Sequence, residues 1–246
     1  MPSFWKHVND VIEKADIIIE VLDARMIPQT RNIEVEQKVR EAKKILLYCI
    51  NKADLVPKKK TEKVSHFLRP SVFISSTEKL GTTILKKKIL ELSKGKSVIV
   101  GVVGYPNVGK SSLINALSGR GAARTSSQSG FTRGVQKVKV DNKIMILDTP
   151  GVFPYGEKDV FKHTLTGSID AAQLRDPEQM ALRFIEQKTD LVKDHFQIEM
   201  ELVDPDEILE QVAINLHLFK KGKAPDIVRA SRRLLQEWQL GKMKDQ

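Results

Sequence analysis

INKADLVP, Ile50 to Pro57, closes an apolar run and stands well ahead of GYPNVGKSS, Gly104 to Ser112, in the same chain. The second stretch satisfies the phosphate-loop pattern G-x-x-x-x-G-K-[ST] through Gly104, Gly109, Lys110 and Ser111, between the apolar KSVIVGVVG and the helix-like SLINAL. In that strand–loop–helix setting the glycines let backbone N–H groups curl around phosphate oxygens at a helix N-terminus. Val108, Gly109 and Ser112 line the loop, Lys110 neutralises the β- and γ-phosphates, and the Ser111 hydroxyl is the expected ligand of Mg²⁺. The first stretch carries Asn51-Lys52-x-Asp54, a guanine-reading pattern. The Asp54 carboxylate can accept from both the ring N1–H and the exocyclic 2-amino group, a donor pair that adenine lacks. Asn51 is placed for the other edge of the base, and the stem of Lys52 can cover its plane. A site built around such a carboxylate rejects a base that leaves it unpaired. The base thus precedes the phosphate, the reverse of the usual order.

The chain between and around these motifs alternates apolar runs with amphipathic stretches. ADIIIEVLDA (15–24), KKILLYCINK (43–52), SVFISS (71–76), KSVIVGVVG (96–104) and KIMILDTP (143–150) are β-branched and nearly continuously apolar, as buried parallel strands are. Helix-like stretches at about 33–44, 58–68, 80–93 and 110–118 lie between them, which predicts a doubly wound α/β sheet. Ligands of such sheets sit beyond the carboxyl ends of the strands, where each motif falls. SSTEK follows the third strand and places Ser75 and Ser76 near the base, with the Ser76 N–H directed at guanine O6 and Thr77 beside it. LDTPG follows the fifth: Asp148 is expected to hold the metal through a water, and the Gly151 N–H to meet the γ-phosphate. Between the two lies SSQSGFTRG (126–134), whose Thr132 is the candidate to close over Mg²⁺ and γ-phosphate, with Thr125 as the competitor. From about residue 156 the pattern turns helical. Asp176-Pro177-Glu178-Gln179 has the form of an N-cap, first-turn proline and capping-box Gln, and two further apolar stripes follow at helical spacing. We divide the chain into an α/β domain over 1–165 and a helical domain over 166–246.

Composition bounds the partners. The single cysteine, Cys49, excludes an intrachain disulfide and fits a reducing compartment. No apolar stretch nears the roughly 18 residues of a membrane span, and MPSFWKHVND is not a secretory signal, so a cytoplasmic protein with no membrane partner is expected. The net charge of +10 is uneven: residues 1–165 carry 29 Lys and Arg against 16 Asp and Glu, whereas 166–246 carry 12 against 15. A polyanion touching the first domain and the last helix is the expectation, through Lys58, Lys59 and Lys60 and through Arg229, Arg232 and Arg233 at i, i+3, i+4. Base-stacking aromatics are sparse, which favours contact with phosphates and duplex shape over single-strand readout.

The run NKAD, SST, GYPNVGKSS, GFT, DTPG resembles the circularly permuted GTPases of the ribosome-assembly group, the bacterial large-subunit assembly GTPases and nucleostemin-like proteins. It is the ordinary GTPase cycle of motifs cut open between the third and the fourth, which leaves every strand-end loop around the nucleotide. DARMIPQTRN (23–32) resembles the family's DARxPxxxRN segment, and LTGSIDAAQLRDPEQMALRFI and KKGKAPDIVRASRRLLQEWQLGKM its C-terminal helices, so the likeness covers nearly the whole chain. SST replaces the family's Ser-Ala-Lys. The resemblance implies GTP and GDP as ligands, Mg²⁺, K⁺ at Asn107, and a monomer acting on the large ribosomal subunit and its rRNA, bound with GTP and released after hydrolysis. Lys110, Thr132 and Gly151 are the expected catalytic groups. Val152 stands where many GTPases place a water-orienting Gln, so slow intrinsic hydrolysis is expected. Arg124 and Arg133 flank the switch threonine as transition-state or RNA contacts. The competing expectation is an RNA chaperone or scaffold in which guanine nucleotide only regulates conformation.

Overall fold

A computed structural model describes residues 3–119, 135–199, 201 and 203–244. It forms two compact units, Met1–Lys158 and Asp159–Gln246. In the first, β1 (Ile17–Asp23), β2 (Ile45–Asn51), β3 (Ser71–Phe73), β4 (Val98–Gly104), β5 (Gln136–Lys139) and β6 (Ile144–Asp148) make one sheet in the order β3-β2-β1-β4-β6-β5. All neighbours are parallel except β5, which runs antiparallel to β6. The five expected strands are these, each shorter by its polar ends. β5 escaped because QKVK buries only Val138 and exposes its lysines, the habit of a protected edge.

Alternate residues of the central strand serve opposite faces, as a period of two demands. Ile17, Ile19 and Val21 pack with Leu85 and Ile89 of α5 (Thr82–Leu92) and Leu113, Ile114 and Leu117 of α6 (Lys110–Ser118). Ile18 faces the other way, toward Trp5, Val8, Val11 and Ile12 of α1 (Ser3–Lys14) and Val35 and Val39 of α3 (Ile33–Glu41). The short α2 (Ile27–Thr30) and α4 (Lys58–Ser65) complete the helices described in this unit. Asp23 and Asn51 are register partners at the carboxyl ends of β1 and β2, and Val102 pairs with Asp148 between β4 and β6. The sheet therefore delivers the motifs among the described residues to one edge.

The second unit contains α7 (Val160–Leu165), α8 (Pro177–Gln187), α9 (Thr189–Phe196), α10 (Pro205–Asn215) and α11 (Ile227–Gln239). Asp176 caps α8 through Gln179 N, as its sequence predicts. The Trp238 indole lies tilted against Phe184, ring centroids 5.0 Å apart, and donates to the Leu165 carbonyl at 2.9 Å. That bond corrects the division at 165/166: α7 is tied to α11 and belongs to the helical unit, whose first residue is Asp159.

Candidate functional site

At the base end, Asn51 is almost fully committed to the protein. Its Nδ2 donates to the Val108 carbonyl at 2.9 Å, and its Oδ1 accepts from Ser76 N at 3.1 Å and from Ser76 Oγ at 2.8 Å. The amide thereby ties the strand end to the phosphate loop and to the SST turn, leaving one N–H for the base edge. The expectation that the Ser76 N–H points at guanine O6 is corrected, because that N–H is spent on Asn51. Ser75 closes the turn by exchanging backbone hydrogen bonds with Leu80 and accepting from Glu78 N on its hydroxyl, while Thr77 is exposed. Lys52 sits in the left-handed region at φ 61°, and its Nζ pairs with Asp23 Oδ2 at 2.8 Å, which anchors the far end of the stem. Asp54 lies in the 3-10 turn Ala53–Leu55, and its Oδ1 is buried with no hydrogen-bond partner among the described residues. A buried carboxylate oxygen left open is costly unless a ligand supplies the donor.

Asp23 was not legible as a site residue. It accepts from Arg25 N and Nε on Oδ1, both at 3.0 Å, and from Arg25 Nη2 on Oδ2 at 2.8 Å, besides pairing with Lys52. Burial pushes its carboxyl up, but Lys52 and Arg25 outweigh that and hold it well below the usual carboxylate range. The signal was the DAR triplet at a buried strand's carboxyl end, one strand over from Asn51.

At the phosphate end, Lys110 is buried at the start of α6 and its Nζ donates to the carbonyls of Tyr105 at 2.7 Å and Gly104 at 3.1 Å. Two of its three protons are used among the described residues, leaving one directed elsewhere. Burial lowers its pKa to about 8 against the pull of Asp148, and burial raises Asp148 to about 6 against the pull of Lys110 and the Thr149 N–H. Asp148 Oδ1 is buried with no partner among the described residues. Ser111 and Ser112 are half-buried in the first turn of α6, and Asn107 holds φ 59°, the left-handed conformation asparagine tolerates in turns. Gly109 has φ +97°, and a Cβ there would collide with Asn51 Nδ2. Base strand and phosphate loop touch at a point where only glycine fits. Gly151 is pressed on Pro106: a Cβ there would lie 2.7 Å from Pro106 Cα. Val152 is buried among Trp5, Val8, Val35 and Val39, so its side chain faces the core. Thr125, Thr132, Arg124 and Arg133 lie outside the described residues.

In the helical unit the three arginines of α11 do not form one free face. Arg233 Nε pairs with Glu237 at 2.7 Å, and Arg232 Nη2 donates to the Leu174 carbonyl at 3.4 Å, whereas Arg229 is exposed. Glu237 also takes His195 Nε2 at 2.6 Å, and although burial pushes its carboxyl up, His195 and Arg233 hold it below the usual range. By contrast Lys220, Lys221 and Lys223 stand exposed on a tight turn closed by Lys220 N to Ala224 O at 2.8 Å, with no ion pair among the described residues. In the first unit Lys58 and Lys59 are exposed at the start of α4, and the side chain of Lys60 falls outside the described residues.

The motif order along this edge is matched by comparison with known proteins. The family model described as RsgA GTPase matches residues 13–156, more than half of the chain. The chain belongs to the circularly permuted GTPases. A second model, described as 50S ribosome-binding GTPase, matches residues 99–218. Among curated relatives, a GTP-binding protein of Methanocaldococcus jannaschii is 38% identical over 97% of this chain and 65% of its own length. The nuclear GTP-binding protein NUG1 of Saccharomyces cerevisiae is 30% identical over 98% of this chain and 55% of its own length. The chain thus spans about half to two thirds of the length of these relatives. The crystal structure of GNP-bound YlqF from T. maritima superposes with a TM-score of 0.65 at 26% identity, covering 98% of this chain and 94% of that one. For a circularly permuted GTPase the fold has what the expectation required: a doubly wound sheet whose base-reading strand precedes the phosphate loop in sequence and adjoins it in space. No helix among the described residues is long and apolar enough to cross a membrane.

Proposed function

We propose that this chain binds GTP and GDP at the carboxyl edge of its sheet, hydrolyses GTP slowly, and acts as an assembly factor for the large ribosomal subunit, bound to rRNA with GTP and released with GDP. The observation that carries the reading is the open, buried Asp54 Oδ1 next to an Asn51 amide bonded to the phosphate loop. A carboxylate so placed is matched by the two adjacent donors of guanine. On the phosphate side, Lys110 offers its remaining proton to a β- or γ-phosphate oxygen, and the Gly151 N–H offers a hydrogen bond to the γ-phosphate. The open Asp148 oxygen and the Ser111 hydroxyl are hard oxygen donors of the kind Mg²⁺ takes. They would hold the ion with Thr132, and the ion would neutralise charge on the β- and γ-oxygens. With Val152 turned into the core, no side chain at that position orients the attacking water, which supports a slow intrinsic rate and an outside activator, K⁺ at Asn107 or the ribosome. Equal hydrolysis in K⁺ and Na⁺ would remove Asn107 from this role.

The RNA contact is assigned to Lys58 and Lys59 of the first unit and to Arg229 and the Lys220–Lys223 turn of the second, all of which stand exposed. The protein is expected to act as a cytoplasmic monomer. The test is co-sedimentation with large and small ribosomal subunits in a non-hydrolysable GTP analogue and in GDP. Binding to the large subunit with the analogue alone is the expected result, and binding to neither subunit in either state would refute it. Replacing Lys220, Lys221 and Lys223 together by Glu should flatten the salt dependence of RNA binding by roughly two units of log–log slope. The buried Val152 also favours a second reading, an RNA scaffold that binds guanine nucleotide with negligible turnover. A single-turnover rate unchanged by ribosomes and by K⁺ would select it.

A further inference from the structure

The segment after DTPG is held by one group of the phosphate loop and by two that belong to none of the nucleotide motifs. The Asn32 Nδ2 donates to the Val152 carbonyl at 3.4 Å, Tyr155 N donates to Glu34 Oε2 at 3.1 Å, and the Tyr105 hydroxyl donates to Glu157 Oε2 at 2.7 Å. Of these, Asn32 is the one with its feet in the core. It is 1% exposed. Its Oδ1 caps α3 by accepting from Val35 N at 3.2 Å, and its own N–H donates to Glu20 Oε1 at 2.7 Å, in the middle of the central strand. Val152 N in turn donates to the Gly104 carbonyl at 3.2 Å. One residue, through its main-chain N–H and its side-chain amide, therefore joins the central strand, the cap of α3 and the main chain one residue past Gly151, which continues onto the phosphate loop.

A helix cap needs only the oxygen, and serine or aspartate would supply it equally well. What asparagine adds is the N–H that reaches Val152. We propose that Asn32 is a positioning residue for GTP hydrolysis: it fixes the main chain at Val152 and so sets where the adjacent Gly151 N–H stands relative to the γ-phosphate. The inference rests on the GTPase reading above. It gives the segment between DAR and α3, which contains none of the nucleotide motifs, a part in how the chain distinguishes GTP from GDP. GDP lacks the phosphate that Gly151 meets, so its binding does not depend on the latch.

The test uses the full chain with Asn32→Ser, which keeps the cap and removes the N–H, alongside Asn32→Ala, which removes both. Affinities for GDP and for a non-hydrolysable GTP analogue are measured by titration, together with thermal stability. For Asn32→Ser we expect a GDP affinity within about twofold of the wild type and a loss of about threefold to tenfold for the analogue, the range set by one hydrogen bond. Asn32→Ala should show the same selective loss with a lower melting temperature. Equal losses for both nucleotides, no loss for either, or a defect confined to Asn32→Ala would overturn the proposal, the last because it would reduce Asn32 to a cap. If Asn32→Ser fails to fold, Glu34→Ala replaces it, since Glu34 holds the same segment from a half-buried position. The same selective loss is expected there, and an equal loss or none overturns the proposal. A wild-type chain that binds neither nucleotide would instead refute the functional reading itself.

Discussion

The two ends of the candidate site are built differently. At the base end nearly every polar atom has a protein partner among the described residues: Asp23 is saturated by Arg25 and Lys52, and Asn51 bridges Val108 and Ser76, so that the Asp54 oxygen and one N–H of Asn51 stay open. At the phosphate end Asp148 is open, Lys110 holds its own loop's carbonyls, and the main chain after Gly151 is fixed by a few single hydrogen bonds. A rigid end suits recognition of a base present in both nucleotide states, and a lightly held end suits a phosphate present in only one. On the proposed function, specificity and switching would be separated along one sheet edge.

Substitutions at each end test this contrast. Gly109→Ala strikes where the ends meet and should be the most damaging, with about 4 kcal/mol lost in denaturant unfolding and guanine-nucleotide binding abolished. The left-handed φ and the collision with Asn51 Nδ2 act together. A tolerated alanine would show that the two ends are not in contact. Asp23→Asn leaves Arg25 and Lys52 facing each other and should cost about 3 kcal/mol. Because the folded carboxyl titrates below its unfolded value, the stability that Asp23 contributes is present above the unfolded pKa and is lost as the pH falls through the folded one. The variant should therefore lose less stability than the wild type on acidification below about pH 4.

On the other side of the contrast stands Glu20, raised to about 8 chiefly by burial, with the Asn32 N–H lowering it and Glu36 raising it. Here the folded state holds the proton, so its contribution is complete below the unfolded pKa and disappears as pH rises through about 8. Glu20→Gln should remove that slope and be more stable than the wild type by about 2 kcal/mol more at pH 8 than at pH 6. Parallel pH profiles would show that Glu20 is charged in the fold. The smallest effect is expected of Tyr105→Phe, which frees Glu157 from the phosphate loop. About 1 kcal/mol or less of stability and an unchanged GDP affinity are the expected outcomes.

The sheet was legible because parallel strands buried on both faces leave continuous apolar runs, and the phosphate and base motifs because each ends such a run. What escaped had its cause in long-range contact. α1 carries Trp5, Val8, Val11 and Ile12 at helical spacing, yet its polar residues masked it in an end-to-end reading. The place of α7 depends on a Trp238 bond across 73 residues of sequence. Arg232 and Arg233 share a helix face with Arg229, but only the fold shows that each also bonds within the unit, to Leu174 and to Glu237. The partners of Asn51 follow the same rule: a four-residue pattern announces a base site, but not that its amide is already shared with Val108 and Ser76.

The strand order has a consequence for how the chain is made. β1 lies between β2 and β4, and β2 and β3 leave the ribosome before β4 does. During synthesis one edge of an almost wholly apolar strand thus waits uncovered through the whole of α4, β3 and α5. A nascent chain in that interval presents an unpaired template to any passing strand. Cutting the motif cycle where this family does leaves the active-site edge intact, and moves the cost to the seconds before it exists.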